Sequence, residues 1–253
     1  MDVAAIVLAL LAGALSLFNS VYTTRLASRL EEERRAKTKA ELVAELMARY
    51  RDPLMQAAFD LQSRIYNIVE QGFLQTHYCN GTDSTKEYAR ENTLYVLADY
   101  LGWVEILRRQ VRFLDLGDEV ANRAWTERLV AIRITLLSAE FSPRFRIFNG
   151  QQRAIGEIMI KADDDNDERL ETVGYAGFLA CQREPEFDRW FTDLRADIDA
   201  LANEPDAGHA QRLVALQRAL VDLIDLLDPN QVRIQSSERG RLTVGGSESD
   251  ATE

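Results

Sequence analysis

The sequence predicts an all-α protein in which an N-terminal single transmembrane helix continues into a soluble multi-helix bundle. Three observations predict it. From Val3 to Thr24 the chain carries no Asp, Glu, Lys or Arg, and about 20 mainly apolar helical residues, at ~1.5 Å each, cross a hydrocarbon core roughly 30 Å thick. Beyond Arg25, apolar residues recur at three- and four-residue steps, the stripe of helices packed on one side. Gly and Pro punctuate the chain at helix-length intervals, and the one alternating run, 144–150, has no partner with which to build a sheet. The expected organisation is a transmembrane anchor over 1–24, a charged juxtamembrane helix over 25–50, a cytoplasmic bundle over 51–235 and a disordered tail over 236–253.

The membrane segment ends at Val3 and Thr24, with its apolar core over 3–18. A cleaved signal peptide is the competing reading, since Ala12-Gly13-Ala14 imitates a cleavage site. Such a peptide begins with a basic region, whereas Asp2 is the only charged side chain before the apolar run, so an uncleaved signal-anchor is preferred. Arg25, Arg29, Arg34, Arg35, Lys37 and Lys39 follow the segment closely. By the positive-inside rule they place the N-terminus outside and the large domain in the cytoplasm of a single-pass cell-membrane protein. Ala5, Ala9 and Gly13 recur every four residues, as do Ala12, Ser16 and Ser20. Strips of small residues let a second helix approach closely, so a homodimer paired there is the alternative to a plain lipid-facing monomer.

The following elements are read from periodicity and breakers. The 25–40 stretch is too charged for a secure coiled coil. Val43, Met47, Tyr50, Leu54, Ala57, Leu61, Ile65 and Ile68 form one stripe, with a break or kink expected at Asp52-Pro53. Gly72 ends this helix and 75–84 reads as a loop. Residues 93–107 are apolar on nearly every face and belong at the centre of the bundle, with Leu94, Leu97, Leu101, Val104, Leu107, Val111 and Leu114 as the main seam. A helix over 119–140 with Trp125, Leu129, Ile132 and Leu136 inward ends at Ser142-Pro143. Then come an extended connection over 144–150, a helix over 151–161, an acidic loop over 163–168, and helices near 170–182 and 186–203. Leu213, Leu216, Leu220, Leu223, Ile224 and Leu227 form the stripe of the last helix before Pro229.

Composition bounds the function. The 253 residues are 46% hydrophobic and 28% charged, ordinary globular usage. A net charge of −11 argues against nucleic-acid binding, which needs clustered excess Lys and Arg. Cys79 and Cys181 form no C-x-x-C pair and are expected as free thiols in a reducing cytoplasm, where Asn80-Gly81-Thr82 would meet no glycosylation. Neither G-x-x-x-x-G-K-[ST] nor G-x-G-x-x-G occurs, and His77 and His209 are the only histidines, so no cofactor or metal is implied. The run Asp163 to Glu168 resembles half a calcium loop, but Glu168 stands where the turn needs Gly and Gly174 where a bidentate Glu is needed.

Three charged sets remain. Asp222, Asp225 and Asp228, and Asp193 with Asp197, share helix faces on which a metal and phosphate could be gripped, although the polar face of an amphipathic helix is the stronger explanation. Arg108, Arg109, Arg112, Arg144, Arg146 and Arg153 flank Phe113, Phe145 and Phe148 and are the candidate anion-binding set. With no catalytic constellation, the reading is a non-enzymatic module at the membrane that binds another protein as scaffold, sensor or regulator. The alternative is a membrane-tethered enzyme or anionic-ligand domain using these Asp and Arg residues on phosphate-containing or lipid substrates. Convergence of Asp193, Asp197, Asp222 and Asp225 in one deep pocket would favour the enzyme, and a shallow groove the binding module.

Overall fold

A computed structural model of the protein describes residues 3–111, 119–163, 166–204 and 207–243. Most of these residues are helical. In order they form α1 (Val3–Val69), a π-helical turn (Gln75–Cys79), α2 (Asp83–Val111), α3 (Glu119–Leu137), α4 (Asn149–Ile158), β1 (Ile160–Asp163), β2 (Asn166–Thr172), α5 (Tyr175–Cys181), α6 (Pro185–Asp188), α7 (Thr192–Asn203) and α8 (Ala207–Leu227). Contacts divide the described residues into a unit up to Met47 and a unit from Ala48 onward.

The first unit is the N-terminal part of α1. Its side chains over 22–38 are exposed, Tyr22, Leu26 and Leu30 included, and Arg35 pairs with Glu31 one turn back at 3.0 Å. The expected membrane segment Val3 to Thr24 is helical in its backbone. The side chains of 3–18, with the Ala5, Ala9 and Gly13 strip, lie outside the described residues. Among the described residues no helix is long and apolar enough to cross a membrane.

The second unit is an α-helical bundle. Leu54, Ala58, Leu61 and Ile65 of α1 are buried together with Leu94, Leu97 and Leu101 of α2, Ile132 and Leu136 of α3, Ile198 of α7 and the whole expected stripe of α8. Each such Leu or Ile contributes about 1.5–3 kcal/mol by leaving water. The break expected at Asp52-Pro53 does not occur, because α1 continues through Pro53 to Val69. Tyr50, Leu54 and Met55 are buried on either side of the proline, so packing offsets the missing N–H. The loop expected over 75–84 contains the π-helical turn, and α2 begins ten residues earlier than its apolar core. Val104 and Leu129 prove only half-buried.

A β-hairpin replaces the acidic loop and the start of the helix expected near 170. β1 and β2 pair antiparallel with Ile160 opposite Thr172, Lys161 opposite Glu171 and Ala162 opposite Leu170. Two strands alone are marginal in water, and this pair is held by α2. The Thr172 hydroxyl donates to Asp99 Oδ1 at 2.5 Å, and a Cβ on Gly102 would lie 2.7 Å from Thr172 Cγ2 and 3.0 Å from Met159 Cβ. Gly102 is thus a contact point for the hairpin. Gly156 plays the same part between α4 and α2, where a Cβ would lie 2.6 Å from the Leu101 carbonyl oxygen. The expected disorder from Ser236 is not met over 236–243. Leu242 and Arg239 are buried there, while 244–253 lie outside the described residues.

Burial pushes the Asp99 carboxyl up to about 6, with the Asp60 charge adding to it and the Thr172 hydrogen bond opposing it. The folded protein therefore binds this proton more tightly than the unfolded chain. The resulting penalty is absent below about pH 4, grows as the pH rises, and is complete above about pH 6. Asp99→Asn keeps an acceptor for Thr172 without the charge. Urea unfolding should show it stabilising by about 1–3 kcal/mol near pH 7 and not at all near pH 4; an equal effect at both would rule the charge out as its cause.

Candidate functional site

Two concavities of different character stand out among the described residues of the second unit. One is a closed apolar cavity of about 30 Å³ among Leu61, Ile65, Leu97, Phe145, Ile198 and Leu216, with room for a water-sized guest but not for an organic ligand. The other is an open polar cleft of about 550 Å³ lined by Tyr78, Asp83, Lys86, Glu87, Arg90, Glu91, Gln182, Asp188 and Arg195. Helix geometry builds it. Asp83, Glu87, Arg90 and Glu91 fall on one side of α2 at helical spacing, the π-helical turn brings Tyr78, and α6 and α7 bring Asp188 and Arg195.

Glu91 is the cleft's keystone, with only 4% of its surface exposed. Its carboxylate accepts from Gln182 Nε2 at 2.6 Å, Arg90 Nε at 2.8 Å and Arg195 Nε at 3.3 Å. Arg195 continues to Asp188 at 2.7 Å. The Tyr78 hydroxyl donates to Asp199 Oδ1 at 2.5 Å. Burial first, and then this carboxylate, raise the phenol above its ordinary range, so Tyr78 is a hydrogen-bond donor at neutral pH. The cleft presents cations and anions side by side around a satisfied buried carboxylate, chemistry suited to recognising a charged surface.

The candidate anion-binding arginines are divided. Arg108 donates to Glu105 Oε2 at 2.6 Å, and Arg109 donates to Glu105 Oε1 at 3.0 Å. Burial alone would raise the Glu105 carboxyl, but these hydrogen bonds hold it below its ordinary value. Arg153 faces Glu157 at 3.7 Å. Arg112 lies outside the described residues. Arg144 and Arg146 sit at the other end of the connection, where Arg144 reaches Glu204 at 3.4 Å and Arg146 donates to the Leu137 carbonyl at 2.9 Å while lying over the Phe148 ring.

The acids also have separate partners. Asp197 accepts the Phe145 N–H at 2.7 Å, and Asp193 is exposed on the same helix. Asp222 and Asp225 share Arg241, while buried Asp228 accepts N–H groups from Val232, Arg233 and Ile234 and pairs with Arg239 at 2.8 Å. His77 packs on Phe73 with ring centres 4.8 Å apart, and Cys79 donates to the Ala202 carbonyl. Among the described residues no three His, Cys, Asp or Glu side chains gather as a metal set.

Sequence reading missed the cleft because Glu91 and Arg195 are 104 positions apart and neither interrupts a periodic stripe. It missed Arg212 for the opposite reason, since this residue sits within the apolar stripe of α8 and is 1% exposed.

Glu91→Ala should leave Arg90, Gln182 and Arg195 without their shared acceptor and lower stability in urea by about 2–4 kcal/mol; a change under about 0.5 kcal/mol would show that the cluster is an ordinary surface network. Compared with known proteins, the chain matches no family model, no curated protein and no solved structure, so its function is read from its own residues.

Proposed function

We propose that the chain is a single-pass membrane protein whose cytoplasmic helical domain binds another protein, as a scaffold, sensor or regulator. The observation that carries this reading is the open cleft around Glu91, about 550 Å³ and lined by side chains of both charges. Alternating charge on a concave surface suits a complementary protein surface, which supplies opposite charges and displaces little ordered structure. The closed cavity is too small for a substrate. Support over a membrane-tethered enzyme comes from the acids, since Asp197 is engaged by Phe145 and Asp222 and Asp225 by Arg241, in two different places.

The uncharged stretch from Val3 to Thr24, followed by six basic residues, supports an anchor with the domain on the cytoplasmic side of the cell membrane. Its small-residue strips would pair two copies. An anchored domain meets its partner at a membrane surface, where confinement raises effective concentration and weak charged contacts suffice.

Full-length protein extracted from its native membranes should retain a discrete partner. The cleft exchange of half-buried Lys86→Glu with exposed Glu87→Lys should reduce that retention roughly tenfold, the loss expected when rim charges are reversed. Removing residues 3–24 should release the chain into the soluble fraction. Equal retention by wild type and exchange variant would contradict the cleft assignment, and membrane association without residues 3–24 would contradict the anchor.

A further inference from the structure

The last described residues lie on the bundle as a peptide lies on a receptor. Gln217 of α8 is fully buried and Gln62 of α1 is 2% exposed, and the two carboxamides are bonded to one another at 3.0 Å. Gln62 Nε2 also donates to the Ser63 hydroxyl at 2.9 Å, and both carboxamides reach the backbone of the C-terminal segment. Gln217 Nε2 donates to the Gly240 carbonyl at 2.7 Å, and its Oε1 accepts the Leu242 N–H at 3.1 Å. One amide side chain thus satisfies the carbonyl and the N–H that a neighbouring β-strand would satisfy. Gln62 Nε2 adds the Glu238 carbonyl at 3.1 Å, and Arg218 Nε adds the Leu242 carbonyl at 2.6 Å.

Side chains supply the selectivity. Arg239 reaches Asp225 and Asp228 at 2.9 and 2.8 Å, Arg241 reaches Asp222 and Asp225, and Leu242 is buried. Asp222 and Asp225 of α8, with Asp228 just past its end, are therefore the acidic wall of a groove. Gly240 is not required for space, because a Cβ there would meet the Tyr66 ring at an ordinary 3.5 Å. The groove reads Arg, any residue, Arg, then an apolar residue. Emptied, it leaves Asp225 and the Gln217 Oε1 without their partners, while Asp228 keeps its three backbone N–H groups, so the groove favours an occupant.

We propose that this groove is a binding site for an extended Arg-x-Arg-apolar segment of a partner protein, filled in cis by the chain's own residues 239–242. The partner's segment and the chain's own strap compete for the same carboxamides and carboxylates, and displacement frees the strap. The proposal deepens the interaction-module reading, yet it concerns a surface that shares no residue with the cleft and is tested without it.

The test uses the full chain with the strap's distal anchors weakened, Arg241→Ala with Leu242→Ser, and a labelled peptide of residues 236–243 as probe. Fluorescence anisotropy should show this variant binding the peptide roughly tenfold or more tightly than wild type, whose tethered strap competes at high effective concentration. Adding Asp222→Lys with Asp225→Lys should abolish binding, as should a peptide carrying Glu for both Arg. Equal binding by wild type and variant, or binding indifferent to the two lysines, overturns the proposal. A dimer of the weakened chain with wild type would place a second copy's strap in the groove and overturn the assignment to a partner. Where the variant fails to fold, hydrogen exchange on the unaltered chain decides: excess peptide should accelerate exchange at 236–243, and unchanged exchange there overturns the proposal.

Discussion

Arg212 is the constraint around which the second unit is organised. A guanidinium at 1% exposure has no water to hydrate it, and burial of an unpaired charge is expensive. Here its five N–H groups are spent on backbone oxygens. Nε donates to the Arg144 carbonyl at 3.0 Å, Nη1 to Thr135 and Leu136 at 2.6 and 3.2 Å, and Nη2 to Ser138 and Ser142, both at 2.9 Å. Those carbonyls belong to the last turn of α3 and the segment after it, where a helix leaves acceptors unsatisfied and its dipole favours a cation. Burial, with the Arg146 charge beside it, lowers the Arg212 pKa from its ordinary value, yet a guanidinium stays charged at any physiological pH. One side chain of α8 thereby determines where α3 ends and how the chain turns toward α4.

That turn holds Phe145 at φ 54°, a left-handed conformation that a bulky residue avoids. The cost is sustained from two directions: Asp197 accepts the Phe145 N–H, and the Phe145 ring lines the closed cavity among core side chains. The same economy recurs through the domain. Glu105 gathers Arg108 and Arg109, Asp228 gathers three backbone N–H groups and Arg239, and Arg51 caps the Leu227 carbonyl. Charges that looked available for a ligand serve helix ends and connections. The cleft around Glu91 differs in being open to solvent, which is why the binding function is proposed there.

The helical stripes were legible because burial and periodicity coincide. In α8 all six expected apolar positions, from Leu213 to Leu227, are buried, and in α2 Leu94, Leu97, Leu101 and Leu107 are. The hairpin was not legible, since Asn166 to Thr172 carries mostly polar residues of low strand propensity and is ordered by Asp99 and Gly102 of a distant helix. The C-terminal strap failed for a related reason. A Ser-, Gly- and Glu-rich composition signals disorder only when nothing waits to bind the backbone, and Gln62 and Gln217 do. The arginines of the candidate set were found as residues but not as a site, because a sequence shows which cations exist and not which carbonyls they face.

Backbone hydrogen exchange in an Arg212→Met variant, which keeps the volume and removes the donors, tests the central claim most directly. If Arg212 organises the bundle, amides over 138–148 and in the last turn of α3 lose protection by at least about a hundredfold, the effect of roughly 2.7 kcal/mol of lost local stability, while α2 keeps its own. Unchanged protection over 138–148 would contradict the account and move the organising role to the apolar core alone.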